Sequence, residues 1–580
     1  MLNTLVFFKG IRPAGKSIRP DSFRWRAFGT APCTYGKKTA LYFGTIWPDP
    51  NASAAGVRTE SLLSQVTKMG FKVHYCSPAR SRLIPSELFE RLGVEAHRLS
   101  SVNSDETDVV LKTLCPKLVI LDRFLTEEMV GWRVRSNCPD CAIVLDSQDL
   151  HCLRLARQHV IEEIEAARGY APSRGTEYYL NAIQKEGRYQ AERQSGTFEP
   201  SRLVEKSKHA DIIQVGARYA LVREHFLREV ASFHRSDLVL VSSNFEKEYL
   251  IKKFQISADK LFCAPFYVEV PSGETKSFQH RRGLCFLGNF RHPPNRDAIS
   301  WLKRDIWPRL RQSLPKDAFI DVFGANPQRE DILLSDPENG FRVSGPVKPS
   351  ALFQRLQLYR ALLAPLRFGA GVKGKIVDAW KSGTPVITTS IGAEGMYLRD
   401  GERVEFGGAV ADDPESIALQ TSRIYCNQSD WHQARLSGGY VLRSKFSEEG
   451  NGPALRARLQ HVIRNLESVR KRNVVGQILE FSTNKYNEML AKYIQLKDNN
   501  QASADQRPVH PRSSPDHDSP IDHQKTREKI EKILAWSEQL SPTKPAPNKP
   551  WGPLALDPSI DRTLSTLKRS MIGAHIKRDD

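Results

Sequence analysis

At 580 residues the chain is too long for one hydrophobic core and implies two large domains with extensions. Its hydrophobic content of 40% is that of a globular protein, but its net charge of +19 is unusual. Residues 1–38 hold +7 and residues 498–580 hold +1, which leaves +11 for the middle. That spread excess suits anionic small ligands and weak membrane-surface attraction, and excludes a dedicated nucleic-acid binder, for which no module is visible.

The N-terminal segment, residues 1–38, is basic, with Asp21 its one acid and Leu5–Phe8 its one apolar core. This is the composition of an organelle transit peptide or a disordered basic arm, and it predicts an intracellular protein, cytoplasmic or mitochondrial. No apolar run approaches the roughly 18–20 residues of a membrane span. The nine cysteines are scattered and odd in number, against a disulfide framework and for a reducing compartment. Cys138 and Cys141 form a C-x-x-C with no second pair at zinc spacing, and read as loop cysteines.

Regular structure is expected from Thr39. TALYFGT (39–45) reads as a strand, 57–69 as a helix closed by Gly70, and FKVHYCS (71–77) as the next strand. Helix 104–114, strand 117–122, helix 126–136 and strand 142–146 continue the alternation, which implies a parallel sheet covered by helices on both faces. A charged helical insertion, centred on about 158–215, interrupts it. LVLVSS (238–243) is expected to be the last strand of this first domain, 39–270.

A second βα series occupies 271–452. It has strands at 283–290, 319–324, 341–347, 361–366 and 385–389, with helices at 295–313, 349–359 and 373–382. A helical crossover at 453–497 follows. The tail 498–580, with ten of the thirty-five prolines, is too polar to bury a core and reads as disordered. The fold class is thus α/β, with two Rossmann-like doubly wound domains facing a central cleft.

Ligands of open parallel sheets bind beyond the carboxyl ends of the strands. Three segments lie there. In RFGAGVKGKIVDAW (367–380), Gly369, Gly371 and Gly374 lie between a strand and a helix, so backbone N–H groups can approach an anion. Lys373 and Lys375 put positive charge at a helix N-terminus, an unfavourable placement unless an anion is present. Asp378, one turn on, can accept hydrogen bonds from sugar or ribose hydroxyls. In FLGNFRHPPNRD (286–297), Gly288 ends a strand, and Arg291, His292 and Arg296 follow. In LDSQDLHCLR (145–154), His151 stands among Asp146, Asp149 and Arg154.

FLGNF, the APLRFGAGVKGKIVDAWKSGTPVITTSIGAEGM block and the first-domain opening GTIWPDPNASAAGVRTESLL together resemble the GT-B-fold retaining glycosyltransferases, group 1 or family 4-like, in a subgroup with a GAG-x-K-x-K donor block. The resemblance spans residues 39–498. It implies transfer of a hexose or N-acetylhexosamine from a UDP- or GDP-linked nucleotide sugar to a hydroxyl of a glycan, lipid or protein acceptor. Retention and no cofactor beyond the donor are also implied; no metal cluster with ligand spacing appears in the sequence, so transfer is expected to be metal-independent. By the same resemblance Arg291 and Lys375 bind the donor diphosphate, Gly56 and Arg58 lie near it, and His151 faces the reacting sugar. One departure stands out. The family's two glutamates, eight positions apart, are Ala370 and Asp378 here, with Glu394 the candidate substitute for the missing acid. That loss motivates an alternative, a catalytically weakened protein that binds nucleotide sugars.

Overall fold

The computed structural model describes residues 38–51, 53–167, 202–271, 273–400 and 403–482. The expectations for the basic leader, the centre of the insertion and the C-terminal tail therefore lie outside the described residues.

The first domain is a seven-stranded sheet in the order β3-β2-β1-β4-β5-β6-β7. Its strands are β1 Thr39–Phe43, β2 Lys72–Ser77, β3 Val94–Arg98, β4 Leu118–Asp122, β5 Ala142–Asp146, β6 Leu238–Val241 and β7 Leu261–Cys263. Every pairing is parallel. β1, β4 and β5 are buried at all five positions, which is why they read as continuous apolar runs.

The sheet differs from expectation at both edges. LVLVSS is not its last strand, because β7 pairs beyond β6. β3, unforeseen, pairs with β2 at the other edge. β7 has only three residues, and the sequence of β3, VEAHR, fully buries only Val94, so neither carries a strong hydrophobic period.

The second domain is a six-stranded parallel sheet in the order β10-β9-β8-β11-β12-β15. Its strands are β8 Leu284–Leu287, β9 Ile320–Phe323, β10 Phe341–Ser344, β11 Ala361–Ala364, β12 Val386–Thr388 and β15 Gly408–Val410, and a hairpin of β13 Leu398–Asp400 and β14 Arg403–Glu405 precedes the last. The expected helix 295–313 is interrupted by a π turn, Leu302–Ile306. Pro308 follows at the start of the next helical segment, and without an N–H it cannot continue an α-helical bond ladder.

Strand order reverses at β1/β4 in one sheet and at β8/β11 in the other. Loops leaving these neighbouring strands diverge and open a crevice, the position where doubly wound sheets take ligands.

Two elements bind the halves together. The helix Glu448–Arg464 begins ahead of the expected 453 because Ser447 caps it, its side chain accepting the Gly450 N–H. It returns to the first domain and buries Leu455, Leu459 and Val462 in that domain's core. The insertion also reaches across. The helix His151–Ala167 packs Leu153 and Ala156 into the first core, whereas Val204 of the helix Arg202–Lys208 is buried in the second. Arg367, fully buried, donates to Asp297 Oδ2 at 2.9 Å and bonds Glu165 of the insertion. Such an enclosed ion-pair cluster fixes geometry more than it adds stability.

Candidate functional site

A cleft of about 1050 Å³ lies between the sheets, lined by loops from the reversal points of both. After β1 come Asp49–Asn51, Ser53 and the start of the helix Ala54–Lys68. After β4 comes Arg123, after β5 Gln148 and Asp149, after β8 Gly288, Asn289 and His292, and after β11 residues 368–375.

The loop after β11 is shaped by close approach. Gly371 has φ +71°, in the left-handed region, and a Cβ there would lie 2.9 Å from the Asp149 Cβ. Its N–H donates to Glu246 Oε1 at 3.1 Å. At Gly374 a Cβ would lie 2.8 Å from the Ala54 Cβ. The first residues of the helices Ala54–Lys68 and Gly374–Lys381 are therefore in contact at the cleft, so two positive dipole ends lie close together there. Lys373 occupies the cap position of the second helix, and no side chain caps it.

Charge at this point is concentrated and poorly compensated. Lys375 Nζ donates to Asn295 Oδ1 at 2.6 Å and sits 4.5 Å from the Phe286 ring centre. Lys373 Nζ donates to the Gly371 carbonyl at 2.6 Å. Burial pulls Lys375 down to about 7, with repulsion from Lys373 adding to it. Burial lowers Lys373 to about 8 despite the attraction of Glu394. Neither lysine has a carboxylate ion pair among the described residues. Asp378 is also recessed, and burial raises its carboxyl to about 6. Across the cleft, burial acts to raise Asp149, but Arg154 and His151 outweigh it and hold the carboxyl well below the usual range. His292 lines the cleft, and burial lowers its ring to about 4, with Arg154 next in effect.

Five of the expected residues thus line one cleft: Arg58, Gly288, Lys373, Lys375 and Asp378. The Gly288 backbone is close-packed, since a Cβ on it would meet Asn295 at 2.7 Å. The other four lie outside the lining, and the Arg58 side chain is committed elsewhere. His151 does not line the cleft; its Nε2 lies 3.1 Å from Asp149 Oδ1, behind that carboxylate, with the Phe124 ring packed edge-on. Arg291 is exposed and also outside the lining, because the turn directs its neighbour His292 inward instead. Arg58 lines the cleft, but its guanidinium is committed to Asp146 at 2.6 Å, the Leu240 carbonyl at 3.1 Å and the Ala264 carbonyl. It ties the strand ends of the first sheet together. Gly56 serves packing, for a Cβ would lie 2.1 Å from the Asp49 carbonyl oxygen. Glu394 lies outside the lining and is held by Arg157 through bonds of 2.6 and 2.7 Å.

Sequence reasoning missed Arg123, Gln148, Asn295 and Glu246. Arg123 and Gln148 have φ of +66° and +61°, a strained backbone for such side chains, at the ends of adjacent strands in the cleft. The rule that ligands collect at strand carboxyl ends was the available signal for these two. Cys138 and Cys141 are free, and burial pushes both thiols up, as inert loop cysteines require.

Residues 281–427 match the family described as Glycosyl transferases group 1. No curated protein sequence matches the chain. Similar solved structures include sucrose-phosphate synthase from Thermosynechococcus elongatus, 12% identical with a TM-score of 0.45, covering 74% of this chain and 100% of that one. Anabaena Alr3699/HepE, in complex with UDP and glucose, is 11% identical with a TM-score of 0.47, covering 73% and 100%. A glycosyltransferase from Rickettsia africae is 10% identical with a TM-score of 0.44, covering 75% and 99%. No helix among the described residues is long and apolar enough to cross a membrane.

Proposed function

We propose that this chain is a glycosyltransferase that moves a hexose or N-acetylhexosamine from a UDP- or GDP-linked donor to an acceptor hydroxyl. The observation that carries the proposal is the pair Lys373 and Lys375, two recessed cations without a carboxylate partner among the described residues, where two helix N-termini lie close together. A diphosphate supplies the missing charge. The match of residues 281–427 to the glycosyl transferases family supports the same reading.

In this reading the bond from the sugar's anomeric carbon to the diphosphate oxygen breaks as the acceptor oxygen bonds on the same face. The acceptor proton passes to the departing phosphate oxygen. Lysine charge and backbone N–H groups stabilise the developing anion in place of a metal, an effect of several kcal/mol in a water-poor cleft. Asp378 binds donor hydroxyls, Gln148, Asp149 and His292 flank the transferred sugar, and no further cofactor takes part. A glycan, lipid or protein acceptor enters from the first domain, and weak attraction of this basic chain to anionic membranes favours lipid.

A second reading, a nucleotide-sugar-binding protein with little turnover, is favoured by Ala370 and by the commitment of Glu394 to Arg157. Incubation with a panel of UDP- and GDP-sugars separates the two. Release of nucleoside diphosphate, with retained anomeric configuration in the product, is expected of the enzyme. Tight binding without release supports the second reading, and neither binding nor release contradicts both.

A further inference from the structure

The cleft does not use the group His74, Glu95 and His97, which lies on β2 and β3 and outside the cleft lining. The parallel register pairs His74 with Glu95 and Cys76 with His97, so all three side chains share one face of the sheet. The expectation of no metal-ligand cluster arose because β3 was not foreseen, and only its pairing brings residues 74, 95 and 97 together.

His74 Nδ1 lies 2.7 Å from His97 Nε2, and the same Nδ1 lies 3.4 Å from Glu95 Oε2. Lys72 holds the other carboxylate oxygen, Oε1, at 2.7 Å. His74 is 1% exposed, and its Nε2 is buried without a hydrogen-bond partner. With the ring proton on that nitrogen, the Nδ1 lone pair faces the cluster. Two imidazole nitrogens and a carboxylate oxygen then converge on one point. A shared proton satisfies the nitrogens alone, whereas a divalent cation satisfies all three.

We propose that His74 Nδ1, His97 Nε2 and Glu95 Oε2 form a site for a divalent transition-metal ion, with zinc favoured by the ligand types. Zinc–nitrogen bonds of about 2.0–2.1 Å at tetrahedral angles put donor atoms roughly 3.3 Å apart. The His74–Glu95 spacing of 3.4 Å already fits, and the histidine pair need open by only about 0.6 Å, on an edge strand able to yield. Water takes the fourth position. The ion would pin β3 to β2, where β3 has little apolar surface of its own.

The test is titration of chelator-stripped full-length protein with zinc chloride alone, followed by calorimetry and thermal unfolding. The site predicts one equivalent bound with Kd on the order of micromolar or tighter, together with a rise in Tm. Glu95→Gln and His97→Asn should each lose both effects while keeping the wild-type circular dichroism spectrum. Glu95 is exposed, so Glu95→Gln decides the matter if His97→Asn does not fold. No binding by the wild type overturns the proposal. So does equal binding by all three proteins, which would place the ion elsewhere, for example on the tail histidines His510, His517 and His523.

Discussion

Glu246 accepts the backbone N–H of Gly371 at 3.1 Å and so joins the glycine loop of one sheet to the other domain. The same oxygen accepts the Leu150 N–H at 3.1 Å, while its other oxygen accepts the Ser242 N–H at 3.1 Å and the Ser242 hydroxyl at 2.6 Å. One carboxylate therefore sets the loop against the strand end that carries Asp149. Glu246→Gln turns an acceptor into a donor amid four donors. The expected outcome is a loss of about 1–3 kcal/mol in urea unfolding and weaker nucleotide-sugar binding in the folded variant. Unchanged stability and affinity would show that the bond does not position the loop.

Asp378 has its folded-state pKa raised to about 6 by burial. Folding therefore favours the neutral acid, and stability is lost as pH rises from the ordinary aspartate value to about 6, then stays lower. Asp378→Asn removes this penalty. Its ligand-free Tm at pH 7 should rise, by a gain of up to about 3 kcal/mol, while nucleotide-sugar affinity falls. Thermal unfolding at pH 4.5 and 7 checks the first effect, and calorimetry the second.

Lys375 and Lys373, lowered to about 7 and about 8, are charged below those values and lose charge above them. A bound diphosphate favours the charged forms, so nucleotide-sugar affinity should fall as pH rises through 7 to 8, with proton uptake on binding in that window. Calorimetry in two buffers of different ionisation enthalpy measures the uptake. The ligand-free protein behaves oppositely, because burial penalises charged lysine, and this contribution to stability improves as pH rises above about 7.

The alternation of buried strands and helices made both sheets legible in the sequence, and the glycine–lysine block is one of the segments that line the cleft. Edge strands were hidden because β3 and β7 bury too little to carry a period. Side-chain commitments were hidden as well. Arg58 reads as a free cation until β5, β6 and the following Ala264 assemble around it, and Glu394 reads as a free acid until Arg157 arrives from a distant insertion. Both bonds depend on topology rather than on local spacing.

His151 sits behind Asp149, so His151→Ala should mainly cost stability, about 1–2 kcal/mol, with turnover per folded molecule within about tenfold of wild type. Asp149→Asn changes a carboxylate that lines the cleft and should lower turnover by about 10²-fold. Turnover normalised to folded protein, measured beside Tm, separates the two roles. A stable but inactive His151→Ala would restore His151 as the catalytic group.

The most direct test of the account is calorimetric binding of UDP- and GDP-sugars to the wild type and to Lys375→Ala, with folding checked by circular dichroism. The account predicts that at least one donor binds the wild type and that the variant weakens it by about 10–100-fold, because a charge-assisted phosphate contact is lost. Equal donor affinity in a well-folded Lys375→Ala would contradict the placement of the diphosphate at the meeting of the two helix N-termini.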